Sequence, residues 1–335
     1  MKSPLDHCIA QPDNQSVRIG ILGCSDIARR KFIPALANCK NALLFAVSSR
    51  DLKSTARLFP DCMVTGYEEL LESPTVDLVY LSLPNHLHEE WTIKALEAGK
   101  HVICEKPLTT TLASTEKILD CASKNRRLIY ENQMFLFHPQ HAIIKNMIDA
   151  GKIGRIKALR SFFGFPYPKE GDFRLDPLQG GGAFHDLARY PLGIASYLLS
   201  SLPHVFRGHS TWRGSLNTSV TGTSITRNDE IFTFSIRFGQ QYEAVYEVIG
   251  ETGMIRLERA YTTPSDYENR IFFTTGNRTE EISVPAADHF KLMIESICNI
   301  IQTNSDFSFL NRQAATIALL ADQMEKGCME KLYEQ

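Results

Sequence analysis

The sequence predicts an α/β protein in two parts: an N-terminal Rossmann-type, doubly wound parallel sheet, then a C-terminal α/β domain on an open, mostly antiparallel sheet. Three observations predict it. Over the first 130 residues short apolar runs alternate with amphipathic runs of helix length, as expected when each parallel strand is returned by a helix. A glycine turn, Gly20-Ile21-Leu22-Gly23-Cys24-Ser25-Asp26-Ile27-Ala28, closes the first apolar run. Beyond residue 130 the runs lengthen, and turns such as Gly239-Gln240-Gln241 and Gly250-Glu251-Thr252-Gly253 join them, which suits antiparallel neighbours.

Val17 to Leu22 reads as the first strand, with Ala28, Phe32, Ile33 and Leu36 on its helix. Ala42 to Ser48 is the second strand and Leu52 to Phe59 its helix; Val64-Thr65 is a short strand before a helix around Glu68 to Leu71. Val76 to Leu83 is a buried strand stopped by Pro84, and His88 to Ala98 is an amphipathic helix ended by Gly99. His101 to Cys104 follows as a strand, Leu108 to Lys124 as a helix capped among Thr109 to Thr111, and Leu128 to Tyr130 closes the series. In the second part, helices are expected over His138–Ala150, Ala183–Leu199, His289–Thr303 and Asn311–Lys331. Strands are expected over Ile156–Phe165, Glu230–Phe238, Tyr242–Ile249, Met254–Tyr261 and Arg270–Thr275. The chain thus divides into a loose N-terminal tail (1–16), a nucleotide-binding domain (17–130) and a substrate-binding domain (131–335).

Bulk properties agree with this and exclude other classes. The 335 residues suffice for two sizeable cores. With 43% hydrophobic and 22% charged residues and a net charge of -2, nothing points to nucleic acid or an anionic membrane. No apolar run reaches the length of a membrane span, and the polar tail lacks the apolar core of a signal peptide. The eight cysteines show no Cys-x-x-Cys spacing, so reduced thiols in a cytoplasmic protein are expected, and no metal site is.

The chemistry is carried by positions at strand ends. Gly23 allows a tight turn where a dinucleotide pyrophosphate would sit, and Ala28 is small enough for close helix packing. Ser25 replaces the second glycine of that fingerprint, and its hydroxyl could donate to a phosphate. Ser48-Ser49-Arg50-Asp51 ends the second strand with hydroxyls and a guanidinium where an NAD site usually has a carboxylate. That suits a 2′-phosphate, so NADP(H) is expected over NAD(H), with Asp51 starting the helix. Leu83-Pro84-Asn85 ends the fourth strand, where Asn85 offers an amide to the cofactor. His86 and His88 lack a Cys or carboxylate cluster to complete a metal site. Cys104-Glu105-Lys106-Pro107 puts a lysine at the end of a later strand, toward the reacting end of the cofactor. Gly180-Gly181-Gly182-Ala183-Phe184-His185-Asp186-Leu187-Ala188-Arg189-Tyr190 places Asp186 and Tyr190 four apart on one helical face. Alone that pair would only bond locally; beside Lys106 it reads as a proton donor with an orienting carboxylate.

The glycine turn, Leu83-Pro84-Asn85 with His88, Gly99 to Pro107 and the triple-glycine helix together resemble the Gfo/Idh/MocA oxidoreductases over essentially the whole chain after the tail. The resemblance implies cofactor contacts at Gly23, Ser25, Asp26, Ile27, Ser49, Arg50, Leu83, Pro84, Asn85, His88, Glu105, Lys106 and Asn132. It implies Lys106, Tyr190 and Asp186 as catalytic residues, with His185, Asp186 and Tyr190 toward the substrate. In this form Tyr190 donates the proton, Lys106 is its electrostatic partner, and Asp186 orients the sugar or positions Lys106. Relatives like inositol dehydrogenase carry histidine in place of Tyr190; the tyrosine form resembles glucose–fructose oxidoreductase, dihydrodiol dehydrogenases and sugar-nucleotide 3-ketoreductases. Glu131 to His141 with Tyr190-Pro191 is most similar to the ketoreductases. Reduction of a nucleotide-linked 3-keto-deoxysugar is therefore the expected activity. A dehydrogenase of a free sugar, inositol or trans-dihydrodiol, or a non-catalytic NADP-binding regulator, stays open. The family also implies a homodimer or larger homo-oligomer through the second sheet. Ala188 and His185 depart from the glycine and aliphatic residue common in relatives, and His185 could add a second acid.

Overall fold

The computed structural model describes residues 16–333, so the expected tail, but for Ser16, lies outside the described residues. The first sheet has six strands: β1 (Val17–Leu22), β2 (Ala42–Ser48), β3 (Met63–Thr65), β4 (Leu78–Leu81), β5 (His101–Cys104) and β6 (Ile129–Glu131). They lie in the order β3-β2-β1-β4-β5-β6, all parallel. This is the doubly wound sheet read from the sequence. Its strand order reverses between β1 and β4, and the crevice beyond their carboxyl ends is where such sheets take ligands.

Every residue of β4 is apolar and buried, because helices cover both faces of a parallel sheet. Tyr80 on β4 stacks on Phe32 of the helix after β1, with ring centroids 3.6 Å apart. The β4 assignment is shorter than the expected Val76–Leu83, but its flanks still pair: the Asp77 N–H donates to the Arg18 carbonyl and the Ser82 N–H to the Leu22 carbonyl. The helix expected over Leu108–Lys124 runs instead over Leu112–Asn125. Thr111 caps it by accepting from the Ser114 N–H, whereas the Leu108 N–H donates to the Glu131 carboxylate and stays out of the helix. Residues Phe290–Ala315 pack with this unit, which otherwise ends at Asn132. The Asn41 amide donates to the Glu295 carbonyl at 2.9 Å and ties that segment in place.

The second unit comprises Gln133–His289 and the chain from Thr316. Its sheet contains β7 (Ile156–Phe165), β8 (Val205–Arg213), β9 (Leu216–Ile225), β10 (Ile231–Phe238), β11 (Glu243–Gly250), β12 (Met254–Glu258), β13 (Asn269–Thr275), β14 (Arg278–Val284) and β15 (Lys331–Tyr333). The order is β14-β13-β12-β11-β7-β10-β9-β8-β15, antiparallel except for the β7–β10 and β8–β15 pairs. Helices cover one face and the other is open. Along β10, Phe232, Phe234, Ile236 and Phe238 are buried, while Ile231 and Arg237 are exposed.

Four of these strands have no counterpart in the sequence reading. β8 and β9 escape it because their inward positions are often polar: Ser210, Thr218 and Ser219 are buried. The Thr211 hydroxyl shares hydrogen bonds with Thr218 at 3.0 Å and Ser219 at 2.5 Å, so those hydroxyls are satisfied inside. β14 is a charged edge strand, as edges often are. The helix expected over Asn311–Lys331 is Ser308–Cys328, and Lys331 instead enters β15. The change of direction follows from close packing: a Cβ on Gly327 would lie 2.2 Å from the Phe206 carbonyl, and the Glu330 carbonyl accepts from the Ser210 N–H.

Candidate active site

The first unit brings twelve of its thirteen expected cofactor residues to the carboxyl ends of the parallel strands. Gly23 follows β1, Ser49 and Arg50 follow β2, Leu83 to Asn85 follow β4, Glu105 and Lys106 follow β5, and Asn132 follows β6. Neighbouring tips are laced by backbone bonds: Gly23 N–H to the Ser48 carbonyl, Glu105 N–H to the Leu81 carbonyl, Asn132 N–H to the Cys104 carbonyl. The Ser82 hydroxyl donates to the Gly23 carbonyl at 2.6 Å. Gly23 has φ +96°, and a Cβ there would stand 2.7 Å from the Leu83 side chain and 3.0 Å from the Ser82 carbonyl. Only glycine fits this turn without strain. Ser25 begins the helix, accepting from the Ala28 N–H at 3.2 Å, which leaves its hydroxyl proton for an outside acceptor. Asp26 is exposed and pairs with Arg29 and Arg30, and Ile27 follows it in the first helical turn.

At the tip of β2, Arg50 is exposed, while the Ser49 hydroxyl is 2.5 Å from that of Thr55. Asp51 caps the next helix, accepting from the Ser54 N–H at 3.0 Å. Its carboxylate is therefore engaged locally, and the free charge at this tip is positive. These groups fit a dinucleotide that bears an extra phosphate.

Glu105 turns inward. Its Oε1 accepts from the Tyr80 hydroxyl at 2.5 Å and the Asn132 amide at 2.7 Å. Burial and the Glu105 charge hold the Tyr80 phenol well above its ordinary range, so Tyr80 is the donor. Glu105 and Asn132 thus brace the segment that carries Lys106, whose bond to Pro107 is cis. Lys106 itself is half-buried. His88 stands apart from the other twelve: it is fully buried, with Nδ1 2.8 Å from the Pro107 carbonyl and Nε2 2.8 Å from the Leu83 carbonyl. Burial lowers its pKa against the pull of those carbonyls. It lies behind the tips of β4 and β5, where a neutral ring donates to one of the two carbonyls, and its neighbour His86 is exposed.

In the second unit, the helix expected over Ala183–Leu199 is two helices, Ala183–Leu187 and Arg189–Leu198, broken at Ala188. Asp186 and Tyr190 therefore sit on successive helices. Tyr190 is 6% exposed and ringed by aromatic side chains: Phe163 edge-on at 4.8 Å, with Phe135 and Tyr261 tilted at 5.4 Å. Such packing holds the ring in one orientation.

A residue absent from the sequence reading, Arg174, governs Asp186. Its Nε donates to Asp186 at 3.2 Å, and its Nη1 donates to Asp172 at 3.2 Å. Burial works against the Arg174 charge, but Asp186 and Asp172 outweigh it and hold the guanidinium above its ordinary range. The glycine run explains the geometry. The Gly181 N–H donates to the Asp176 carbonyl and the Gly182 N–H to the Arg174 carbonyl. A Cβ on Gly181 would meet three carbonyls, those of Phe173, Arg174 and Asp176, at 2.6 to 2.7 Å. The glycines therefore wrap the turn that bears Arg174 onto the start of the helix that bears Asp186. The only local signal for this was an arginine six residues before the glycine run.

His185 sits half-buried beside Asp186 on the same short helix. Burial, aided by Arg189, pushes it down to about 4, so it is neutral at pH 7. Its buried Nδ1 has no hydrogen-bond partner among the described residues, which suits it to bond a ligand. Among the described residues no group of three or more His, Cys, Asp or Glu is arranged to hold a metal, and no helix is long and apolar enough to cross a membrane.

Comparison with known proteins places this arrangement. Residues 17–133 match the oxidoreductase family with an NAD-binding Rossmann fold, GFO_IDH_MocA, and residues 141–256 match the GFO/IDH/MocA C-terminal domain. The chain is 35% identical over 298 residues to a dTDP-3,4-didehydro-2,6-dideoxy-alpha-D-glucose 3-reductase from Streptomyces violaceoruber, covering 86% of each. It is 32% identical to the enzyme of that name from Saccharopolyspora spinosa, over 86% of this chain and 89% of the other. Among solved structures it resembles KijD10, a 3-ketoreductase from Actinomadura kijaniata crystallised with NADP and TDP-benzene. The TM-score is 0.89 at 31% identity, covering 96% of this chain and all of that one.

Proposed function

Because the chain belongs to the Gfo/Idh/MocA oxidoreductase family, we propose that it is an NADPH-dependent reductase of a nucleotide-linked 3-keto-deoxysugar. The observation that carries this is the pairing of two built sites: a glycine turn and arginine tip suited to NADP on the first unit, and Tyr190 with an arginine-held Asp186 on the second. Similarity to 3-ketoreductases of dTDP-sugars over most of the chain supports the substrate class. Structures of KijD10 include replacements of one lysine and one tyrosine, and these lie as far apart in its chain as Lys106 and Tyr190 do here.

NADPH, when bound, supplies a hydride to the ketone carbon. The chain's own residues handle the oxygen. Tyr190 gives its phenolic proton to that oxygen as its bond order falls, leaving an alcohol and a tyrosinate that regains a proton from solvent. Lys106 stabilises the negative charge, first on the oxygen and then on the tyrosinate. Asp186, held in place by Arg174, accepts from a sugar hydroxyl and fixes the ring. His185, neutral, donates or accepts a further hydrogen bond. The open face of the second sheet, where Val205, Ile225 and Ile231 are laterally paired and exposed, is the surface proposed to meet a second copy.

The test is oxidation of NADPH by purified protein with nucleotide-linked 3- and 4-keto-deoxysugars, with NADH and free sugars in parallel. Turnover is expected on the nucleotide-linked 3-ketone. Activity confined to free sugars, inositols or diols would overturn the substrate, and cofactor binding without any turnover would favour a regulator. Within the same assay, Arg50→Ala is expected to narrow the preference for NADPH over NADH by about tenfold or more, the loss of one charged phosphate contact. An unchanged ratio would mean that Arg50 is only a solvated surface residue.

A further inference from the structure

Arg259 lies just past β12 in an unusual setting within the second unit. Its backbone has φ +48°, a left-handed conformation that a residue with a Cβ rarely adopts. The conformation is held from both sides. The Ala260 N–H donates to the Ala244 carbonyl, and the Thr263 hydroxyl donates to the Arg259 carbonyl at 2.5 Å. Thr263 is itself buried and accepts from the Gln140 amide. Strain that the surroundings enforce in this way marks functional positions more often than ordinary turns.

The side chain is equally constrained. The Arg259 guanidinium lies 5.6 Å from the Tyr242 ring centroid and 5.0 Å from that of Tyr267. The Tyr242 hydroxyl is fixed against Thr262 at 2.6 Å. Yet Arg259 is exposed, and among the described residues it has no carboxylate within ion-pair distance. Its neighbours on the sheet are different: Arg256 pairs with Glu247 and Glu258, and Arg270 with Glu281. Two aromatic rings flank this guanidinium while the residue stays exposed, an arrangement that suits a phosphate ligand.

Its location relates it to the site. Tyr242 immediately precedes β11, two residues before Ala244. Ala244 is paired with Phe163, and Phe163 meets Tyr190. Tyr261, two residues after Arg259, also touches Tyr190. We propose that Arg259, framed by Tyr242 and Tyr267, binds the diphosphate of a nucleoside-diphosphate portion of the substrate, beside the Tyr190 cage. The proposal rests on the nucleotide-linked reading of the substrate and adds the subsite to it.

The test is binding of TDP, with thymidine as the control, to the NADPH-loaded protein, wild type and Arg259→Gln. Glutamine is no more strained at this φ than arginine, and retained NADPH affinity reports an intact fold. TDP affinity is expected to fall at least tenfold in Arg259→Gln, to recover in part in Arg259→Lys, and to weaken with salt, while thymidine binding stays constant. Equal TDP binding by wild type and variant would overturn the site and leave the substrate reading standing. An equal loss for thymidine would overturn phosphate recognition in favour of stacking on the base. Wild-type protein that reduces free keto-sugars but does not bind TDP would overturn the substrate reading, and the site with it.

Discussion

Lys106→Ala is expected to lower kcat by roughly 10³-fold, the scale of removing one group that stabilises charge in a transition state. NADPH affinity should stay close to wild type. The reason is positional: the proposed cofactor turn lies at Gly23, Ser25 and the β2 tip, and its geometry comes from backbone bonds and the Ser82 hydroxyl rather than from Lys106. Tyr190→Phe should reduce kcat as well, because phenylalanine keeps the packing against Phe135, Phe163 and Tyr261 and removes only the hydroxyl. Single-turnover rates with NADPH, alongside cofactor titration by fluorescence, would separate the two effects. Wild-type turnover by Lys106→Ala would remove the assigned chemistry.

Acidification is the second large effect. In the second unit, His138 and His141 are fully buried, and burial pushes them down to about 4 and about 3. His141 sits between the Tyr246 hydroxyl and the Ala260 carbonyl, each at 3.0 Å, while the His138 ring meets that of His289 at 6.2 Å. An unfolded histidine takes up its proton near pH 6.5. Below that pH the unfolded chain binds protons that the folded unit refuses, so stability falls as pH falls. The loss begins near pH 6.5 and continues to the folded values. Each histidine contributes about 1.4 kcal/mol per pH unit, so the pair loses roughly 4 kcal/mol by pH 5. Thermal unfolding followed between pH 7 and pH 5 should show the midpoint dropping by several degrees. A flat midpoint over that range would show that the buried cluster already carries charge.

Much of the nucleotide-binding half was legible because its signals are local. A buried parallel strand must be apolar at every position, and a turn as crowded as the one after β1 must be glycine, so β4 and Gly23 stand out in any window. The same holds for Asp51, whose side chain caps the helix it begins. Strand tips then follow from strand ends, which puts Asn85 after β4 and Lys106 after β5. The second half was less legible. β8 and β9 bury serine and threonine hydroxyls that satisfy one another across strands, so hydropathy carries no trace of them. The break at Ala188 is invisible too, since alanine favours helix on either side.

By itself the sequence determined the fold class, the six-strand series with its glycine turn, the family, and the residue types able to bind NADP and move a proton. The tertiary structure alone decided how those groups are held. Glu105 faces Tyr80 and Asn132, His88 lies behind two strand tips, and Arg174 grips Asp186 because Gly181 lets three carbonyls close on it. The rings around Tyr190 come from positions 135, 163 and 261. Contacts between residues so far apart in the chain depend on register and sheet order, and neither leaves a periodic mark on the residues that make them.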